Sequence, residues 1–286
     1  MPESELELDQ PLPASIAAAT SSHAKSGLRL ALDDILEGMR NSDIWLMLGW
    51  LEVKQRYRRS VLGPFWLTIS SALIISAMGP LYGKLFNQPI SDYFAYLAVG
   101  YVIWQLMSQI ITDACYAFIN AESYIKQVRL PLTVHIMRIL WRSLIIFFHN
   151  FIIVLLVLAY FRPEVGWHLL LFPVAMLMFL VNAVWVSIVL GLVCARFRDI
   201  PLIVNNLVLV AFFVTPIMWS PQMLGRYQWT VNLNPFYHFL EIIRQPLLGG
   251  GLNLVSWAAV AGITVVGFAA MLKLFSRFRA RVAYWV

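Results

Sequence analysis

Six apolar runs of about 20 or more residues constrain this chain more than any other feature of its sequence. An α-helix of that length, rising about 1.5 Å per residue, crosses a hydrocarbon core about 30 Å thick. The sequence therefore predicts an all-α membrane protein with six transmembrane helices. We place the spans near residues 61–86, 93–119, 139–161, 168–194, 200–219 and 254–274.

The composition supports this class of protein. Of the 286 residues, 60% are hydrophobic and 13% are charged, whereas soluble domains have about half apolar and about a quarter charged residues. The net charge of +6 resides in cations that flank the apolar runs, which favours contact with a membrane surface and not with nucleic acid. Cys115 and Cys194 lie inside apolar runs without metal-ligand spacing, so we interpret them as packing residues.

The distribution of lysine and arginine predicts the orientation of the chain. Four cations occupy six positions directly before the first span: Lys54, Arg56, Arg58 and Arg59. Such cations collect on the cytoplasmic side of the spans that they precede. With the amino terminus inside, four of the 21 Lys and Arg fall on the outer side: Lys84, Arg162, Arg226 and Arg244. We therefore predict that both termini are cytoplasmic.

The chain before the transmembrane domain, which we place at residues 60–286, divides into two segments. Residues 1–27 are acidic and lack the basic start and apolar core of a signal peptide, which predicts a disordered cytoplasmic tail. In residues 28–59, apolar side chains at spacings of three and four indicate an amphipathic interface helix lying on the membrane, broken near Asn41. The alternative is a soluble helix packed on a partner. We place five charged residues on the wet side: Asp33, Asp34, Glu37, Arg40 and Asp43.

Two long gaps separate spans on opposite sides of the membrane. The inner gap, residues 120–138, carries apolar residues at helical spacing, which predicts a short amphipathic helix that needs a protein partner. A solvated loop is the alternative. Pro221, Pro235 and Pro246 divide the outer segment, residues 220–253, which predicts one or two half-helices re-entering the outer leaflet. A hairpin helix resting at the headgroups is the alternative.

Ionisable residues within the spans are few. Asp113, Arg142 and His149 lie at membrane depth, where such groups mark functional or structural contacts. We expect Asp113 to pair with Arg142 or His149 as a structural tie, with a direct substrate role as the alternative. The sequence contains no GxxxxGK[ST], HExxH or GxSxG motif, so neither nucleotide binding nor hydrolysis has support in this chain.

Four motifs in a fixed order carry a resemblance to a known family. They are RYRRSVLGPFW at Arg56–Trp66, YIKQVRLP at Tyr124–Pro131, RFRDI at Arg196–Ile200, and Asn234-Pro235 followed by Glu241 and Arg244. Together they resemble the ABC-2 type permeases that export lipid-linked polysaccharides, the Wzm-like permeases of O-antigen, capsule and teichoic acid. The resemblance covers about residues 30–286, and the acidic amino-terminal tail departs from it.

The resemblance implies a homodimeric permease in the inner membrane of a bacterium, without a catalytic site of its own. Two Wzt-like subunits would bind ATP and Mg. Together with the permease dimer they would export a polyprenyl-pyrophosphate-linked glycan. Residues 28–59 would form an interface helix beside the ATP-binding subunit. By the same analogy, a segment for coupling to that subunit contains Glu122, Tyr124, Ile125, Lys126 and Arg129. The outer gate contains Pro221, Met223, Tyr227, Pro235 and Glu241.

The chemistry of a sugar chain selects further candidates. Aromatic rings suit the CH faces of sugars, although some of these rings would serve as interfacial belt or lipid-facing packing. The candidates are Trp66, Tyr82, Tyr93, Tyr96, Tyr101, Trp104 and Tyr116. A pyrophosphate needs cations near the cytoplasmic leaflet, where topology anchoring is the alternative role. The candidates for this contact are the cations Arg56, Arg58 and Arg59, together with Tyr57 between them.

Two other functions stay open at this point. One is an ABC-2 exporter of drugs or small lipids. The other is an integral membrane transferase acting on lipid carriers, which would need a catalytic acid, base or metal site near the interface. Its available groups lack motif spacing: Asp113, His135, His149, His238 and Glu241.

Overall fold

The computed structural model describes residues 27–58, 60–63, 65–161 and 166–286. The predicted tail, apart from Gly27, lies outside the described residues, and so does Arg59. The described residues form helices and turns, with no strand among them, which confirms the all-α prediction. The α-helices are α1 Gly27–Arg40, α2 Ser42–Arg56, α3 Phe65–Leu85, α4 Ile90–Cys115, α5 Glu122–Gln127, α6 Leu132–Phe161, α7 Leu171–Arg196, α8 Ile200–Val214, α9 Pro235–Leu247, α10 Leu254–Phe278 and α11 Val282–Trp285. The 3₁₀ segments are Ile119–Ala121, Trp167–Leu170, Pro221–Leu233 and Arg279–Arg281.

Five helical stretches among the described residues are long and apolar enough to cross a membrane. They are Phe65–Leu85, Ile90–Cys115, Leu132–Phe161, Trp167–Arg196 and Leu254–Trp285. The sixth apolar helix, α8, has 15 residues and is therefore only about 22 Å long, which is short of a core about 30 Å thick.

The predicted fifth span, residues 200–219, is helical only as far as Val214. Thr215 has an extended backbone, with φ −85° and ψ 136°. The following residue is Pro216, and a residue before proline is disfavoured in the helical region because its backbone clashes with the proline ring. The sequence therefore ends α8 earlier than its hydropathy indicates.

The third predicted span, residues 139–161, corresponds to α6 and also differs from its prediction. It begins at Leu132 and not near residue 139, so His135 and Arg138 belong to α6 and not to the inner gap. A count of apolar residues places the start of this span too late, because it treats Arg138 as a residue outside the membrane. In the structure Arg138 is buried within the protein. The gap that precedes α6 is correspondingly shorter.

The bundle is organised around α4, which packs against α3, α6, α7, α8 and α9. Because α4 has 26 residues, its ends lie about 39 Å apart. Near the start of α4, Tyr93 donates a hydrogen bond of 2.6 Å to the carbonyl oxygen of Met218. The other end of α4 leads through a short 3₁₀ segment into α5. We call the end with Pro221–Leu233 and α9 the hairpin end.

The opposite end of α4 gathers both described ends of the chain, and we call it the terminal end. Arg279, which follows α10, pairs with Asp34 of α1 at 2.7 Å. Arg198, which precedes α8, donates a hydrogen bond of 3.1 Å to the carbonyl oxygen of Trp285. Since Pro216, after α8, accepts a hydrogen bond from Tyr96 at 3.0 Å, α8 runs from the terminal end to the hairpin end.

The two amino-terminal helices meet at Asn41, which confirms the predicted break. Helix α1 packs against the bundle through small and acidic residues: Ala31, Asp34 and Gly38 are buried. Its apolar face points away from the bundle, with Leu28, Leu32, Leu36 and Met39 exposed. The placement of Asp34 on the wet side is therefore wrong, since this residue is 1% exposed.

Close packing of α10 on α7 depends on a glycine. A Cβ atom at Gly267 would overlap the indole ring of Trp185, whereas a Cβ at Gly262 of the same helix meets nothing within 4 Å. We expect Gly267→Ala to lower the free energy of unfolding by about 1–3 kcal/mol through overpacking. Gly262→Ala is the matched control and should leave stability unchanged or raise it by up to about 1 kcal/mol. Unfolding of both variants in detergent by SDS titration measures the difference, and equal stabilities would contradict this packing.

Candidate functional site

Helix α5, at the terminal end, is exposed along its length. Every residue of Glu122–Gln127 is exposed or half-buried, and Arg129 beyond it is exposed. Glu122 and Lys126 form an exposed ion pair of 2.7 Å one turn apart, and hydrogen bonding to Lys126 lowers the pKa of Glu122. Ile125 packs on the core while Tyr124 is 44% exposed. The helix thus presents a charged and aromatic outer face that a protein partner could cover.

The start of α6, which four residues separate from the end of α5, is held by a contact that the sequence analysis missed. The buried carboxylate of Asp34 accepts hydrogen bonds from the backbone N–H groups of Leu132, at 3.2 Å, and Thr133, at 3.1 Å. It also accepts one from the Thr133 hydroxyl at 2.8 Å and pairs with Arg279 at 2.7 Å. Since these N–H groups belong to the unpaired first turn of α6, Asp34 caps the helix that follows α5. One side chain therefore joins α1, α6 and the end of α10.

A second ionic cluster joins α2 to the bundle near the same end. Glu52 pairs with Arg138 at 3.1 Å and also with Arg142. Arg142 continues to Asp113 of α4 at 2.8 Å, which confirms the predicted pairing with this arginine. His149 instead contacts the carbonyl oxygen of Ile145 at 2.7 Å. Two acids and two arginines therefore balance one another between α2, α4 and α6.

The basic residues at the end of α2 lie outside this cluster. Arg56 and Arg58 are exposed and make no ion pair with another described residue. Tyr57 between them is half-buried, and burial raises the pKa of its phenol, although Arg56 acts in the opposite direction. Two exposed cations that make no ion pair with the described residues therefore lie beside the first span.

A polar cavity of 310 Å³ lies between α3, α4 and α6. Gln105 is at its centre: its amide donates to the Ser71 hydroxyl at 3.0 Å and its carbonyl accepts from Asn150 at 2.8 Å. The amide nitrogen of Gln109 and the carbonyl oxygen of Asn150 make no hydrogen bond with another described residue, although both are buried. The apolar side chains of Leu67, Ile74 and Ile146 form part of the wall. Neutral polar groups form the rest: Ser70, Ser71, Gln105, Ser108, Gln109, Thr112 and Asn150. The cavity can therefore exchange hydrogen bonds with an uncharged, hydroxyl-rich molecule.

At the hairpin end, a buried arginine joins three elements. Arg244 is 1% exposed, and its guanidinium lies 3.9 Å from the ring centroid of Tyr96. It donates to the carbonyl oxygen of Pro216 at 2.9 Å and to Glu241 at 2.6 Å. Gln245 donates to the other oxygen of Glu241. The turn after α8 is thereby held to α4 and α9.

The predicted gate residues lie around this arginine or at the surface nearby. Pro221 and Glu241 line a polar cavity of 370 Å³ that Arg244 also lines. Pro235 begins α9, which is capped by Asn234 through a hydrogen bond from the Phe236 N–H at 2.9 Å. Met223 and Tyr227 are 40% and 52% exposed. They flank Gly225, whose φ of +53° turns the chain between them.

The predicted aromatic candidates do not line one common cavity. Tyr96 lines the 370 Å³ cavity, and Tyr93 is 1% exposed beside it. Trp104 is buried against Phe212 and Phe236, with ring centroids 5.9 and 5.5 Å away. The others lie on α3, on α4 or just after α4: Trp66 is 56% exposed, and Tyr82, Tyr101 and Tyr116 are half-buried.

The largest cavity described, 790 Å³, is apolar and lies between α4, α7, α8 and α9. Its wall includes Met107, Phe179, Val208 and Phe236. Three polar residues, Asn182, Thr230 and Asn234, also line it. Asn182 donates to the Met178 carbonyl at 2.8 Å and to the Thr264 hydroxyl at 2.7 Å. A space of this size and chemistry accommodates hydrocarbon.

Comparison with known proteins defines the class of this chain. Residues 44–248 match the family model of the ABC-2 type transporter, and this range includes more than half of the chain. The chain belongs to the ABC-2 type transporter family, and with its several apolar helices it is a multi-pass membrane protein.

The relatives are permease proteins of one kind. Two proteins of Klebsiella pneumoniae, each named O-antigen export system permease protein RfbA, are 24% identical to this chain over 243 and 245 residues. Each alignment covers 82% of this chain and 93% of the relative. A protein of the same name from Myxococcus xanthus is 27% identical over 168 residues, which covers 59% of this chain and 65% of the relative.

Proposed function

We propose that this chain is the permease subunit of an ATP-driven exporter for a polyprenyl-pyrophosphate-linked polysaccharide. The observation that carries the proposal is the similarity, over 82% of the chain, to permeases named for O-antigen export. The cavity around Gln105 is consistent with it, because the hydroxyl groups of a sugar chain can exchange hydrogen bonds with its neutral polar groups.

In this proposal, the energy comes from a separate ATP-binding subunit that carries ATP and Mg. Helix α5 and the residues after it dock on that subunit, with Glu122, Tyr124, Lys126 and Arg129 exposed for the contact. Ile125 holds the helix to the bundle. Arg56, Tyr57, Arg58 and Arg59 bind the pyrophosphate, which suits the exposed guanidinium groups of Arg56 and Arg58 at the end of α2. Arg59 lies outside the described residues.

The proposed membrane arrangement has six crossings, with α8 as a short fifth span. Two observations support this arrangement. Helix α8 runs from the terminal end to the hairpin end of the bundle, as a crossing helix would. The first and last described helices meet at the terminal end, and an even number of crossings requires them to lie on one side of the membrane. The terminal end is then cytoplasmic in the inner membrane of a bacterium. Helix α1 lies at the interface with Leu28, Leu32 and Leu36 toward lipid.

A homodimer follows from the same proposal. Pro201 is the one buried residue of α8, and the helix leaves an apolar face exposed: Leu202, Ile203, Leu207, Leu209, Val210, Phe213 and Val214. A second copy covering this face would place two sets of cavities around a shared path. Pro221, Met223, Tyr227, Pro235 and Glu241 then close the outer end, and Trp66, Tyr82, Tyr96, Trp104 and Tyr116 contact sugar where the moving path exposes them.

Depletion of this chain in its own cells tests the substrate class. We expect polyprenyl-linked glycan to accumulate on the inner side of the membrane, because synthesis continues while export stops. Unchanged glycan together with increased sensitivity to hydrophobic compounds would instead establish the alternative, an exporter of drugs or small lipids. The 790 Å³ apolar cavity favours that second function.

The role of the polar cavity is tested by Gln105→Leu, which keeps the volume and removes the hydrogen-bonding groups. Buried hydrogen bonds between membrane helices are worth about 0.6 kcal/mol on average, so the protein should fold while glycan export in cells falls several-fold. Asn182→Leu is the control, because it removes another buried amide at the wall of the apolar cavity. Equal export by wild type and Gln105→Leu would contradict the role of the cavity.

The transferase alternative gains no support from the placement of its candidate groups. Asp113 pairs with Arg142, and Glu241 pairs with Arg244. His238 lies between the Ser256 hydroxyl and the Asn232 carbonyl, at 3.0 and 2.8 Å. Asp113 lies near the terminal end of α4, whereas His238 and Glu241 share α9 at the hairpin end, so the candidate groups do not converge on one site.

A further inference from the structure

A basic cavity at the terminal end lies apart from the two ionic clusters described above. It measures 400 Å³ and lies where α7 and α10 end. Three arginines line it: Arg196, Arg277 and Arg281. Its remaining wall is apolar or aromatic: Leu192, Val193, Phe197, Leu274, Phe278 and Trp285. The part of the chain that the structure describes contributes no acidic residue to this wall.

The three guanidinium groups have no anionic partner in the described protein. Arg196, Arg277 and Arg281 make no ion pair or hydrogen bond through their side chains with any described residue. Their neighbours differ, since Arg279 pairs with Asp34 and Arg198 donates to the carbonyl oxygen of Trp285. The cavity therefore keeps three unpaired positive charges within a short stretch of surface.

Aromatic rings hold these cations in place. Arg196 lies 5.3 Å from the ring centroid of Phe197 and 5.4 Å from that of Trp285. Arg277 and Arg281 lie 5.6 and 5.8 Å from the ring centroid of Phe278. A cation over a ring face is attracted to the π-system, and the N–H groups at the edge of the guanidinium remain available. Such donors match the oxygens of a phosphate in pairs.

We propose that this cavity binds the phosphate headgroup of an anionic membrane phospholipid, with the start of the acyl chains against the apolar wall. Two features of the ligand follow from the lining. Unpaired arginines at the ends of two long apolar helices select a phosphate at the level of the membrane surface. The half-buried Val193 and Leu274 select hydrocarbon attached to that phosphate, which a soluble anion lacks.

The bound headgroup would also stabilise the contact between the carboxyl-terminal segment and α5. Trp285 is part of the cavity wall, and its carbonyl oxygen holds Arg198 at 3.1 Å. Its helix, α11, packs against α5. A lipid phosphate that neutralises Arg196 and Arg281 reduces the repulsion between them. It therefore favours the arrangement in which Trp285 lies in the cavity wall and α11 packs against α5. The site therefore connects the surrounding lipid to the exposed face of α5.

Native mass spectrometry of the full, delipidated chain tests the proposal. Phosphatidylglycerol and phosphatidylcholine with the same acyl chains are added separately, and the retained lipid is counted at increasing collision energy. We expect retention of phosphatidylglycerol, and a loss of affinity of about fivefold for each arginine removed in Arg196→Gln, Arg277→Gln and Arg281→Gln. The control is Arg226→Gln, because Arg226 also lies over an aromatic ring, 4.8 Å from the centroid of Tyr227, but at the hairpin end.

Each other outcome counts against the proposal. Equal retention of the two lipids would contradict selection of an anionic lipid, and equal retention that the arginine variants leave unchanged would reduce the site to an apolar groove. Glycerol phosphate binding as tightly as the lipid would make it a site for a soluble anion. Unchanged phosphatidylglycerol affinity in the triple variant, with lost capture of the ATP-binding subunit, would make the arginines a protein contact. If the triple variant is not monodisperse, the exposed single variants Arg196→Gln and Arg281→Gln decide the result by the same measurement.

Discussion

Replacing Arg244 by methionine is expected to lower the free energy of unfolding by about 3–5 kcal/mol, because the change leaves the Glu241 carboxylate buried without its cation. Glu241 is 5% exposed, and the hydrogen bond from Gln245 that remains does not replace the positive charge. The change also frees the carbonyl oxygen of Pro216 and removes the cation from the Tyr96 ring. The turn after α8 then loses one of its attachments to α9, while the 2.9 Å hydrogen bond from Asn234, at the start of α9, to the Thr215 hydroxyl remains. SDS unfolding of the variant in detergent measures the loss.

A double variant separates the charge from the packing. Arg244→Met with Glu241→Met removes both ions, and apolar replacement of a whole buried pair is often close to neutral. We expect it to recover most of the stability lost in the single variant while glycan export remains impaired, because the polar cavity of 370 Å³ loses its charged wall. Arg226→Met, at an exposed position, should change stability by less than about 0.5 kcal/mol. A single variant as stable as wild type would contradict the buried pair.

The sequence predicts the helices well because hydrophobic periodicity and length are local properties. The apolar runs correspond to α3, α4, α6, α7, α8 and α10, and the break at Asn41 was visible from the pattern. The ends of α6 and α8 were misplaced for different reasons. Arg138 at the start of α6 is buried with Glu52, which hydropathy does not anticipate, whereas the end of α8 follows from Thr215 before Pro216. That second signal could have been used.

The candidate site was predicted only where its partners belong to recognisable sets. Intramembrane acids are rare, so Asp113 was expected to find Arg142, and it does. Asp34 was assigned to the wet side because its helix is amphipathic, and nothing local shows that it meets Thr133 and Arg279, 99 and 245 residues away. The polar cavity was missed because single Ser and Gln residues do not interrupt an apolar run. The spacing of Gln105, Ser108, Gln109 and Thr112 on one face of α4 was the available signal.

Asp34 and Glu241 are both buried carboxylates, and they make the same kind of contact at opposite ends of the bundle. Each is held by an arginine and by hydrogen-bond donors, and each lies beside a segment that the transport proposal requires to move or to transmit movement. Asp34 anchors α6 directly after α5, and Glu241 anchors the region after α8. Buried ion pairs contribute less net stability than their number indicates, since desolvation opposes the attraction. Their effect is to fix one arrangement of the segments that they join.

Replacing Asp34 by alanine is expected to separate α5 from its support. The first-turn N–H groups of α6 at Leu132 and Thr133 lose their buried acceptor, and an unsatisfied buried group costs about 1–3 kcal/mol. Loss of the pair with Arg279 adds less, because that side chain is 32% exposed and gains water. We expect a total loss of about 2–4 kcal/mol, most of it local to the terminal end.

The measurement that distinguishes this effect from general misfolding is capture of the ATP-binding subunit by the purified variant. If α5 docks on that subunit, destabilising its docked position reduces the apparent affinity about tenfold for every 1.4 kcal/mol by which that position becomes less populated. Glu37→Ala is the matched control, since Glu37 is an exposed acid on the same helix. Asp34→Ala with normal capture and normal export, in protein shown to be less stable, would mean that the carboxylate supports the fold without positioning α5. Loss of capture and export in Asp34→Ala alone is the result that the contacts of this carboxylate predict.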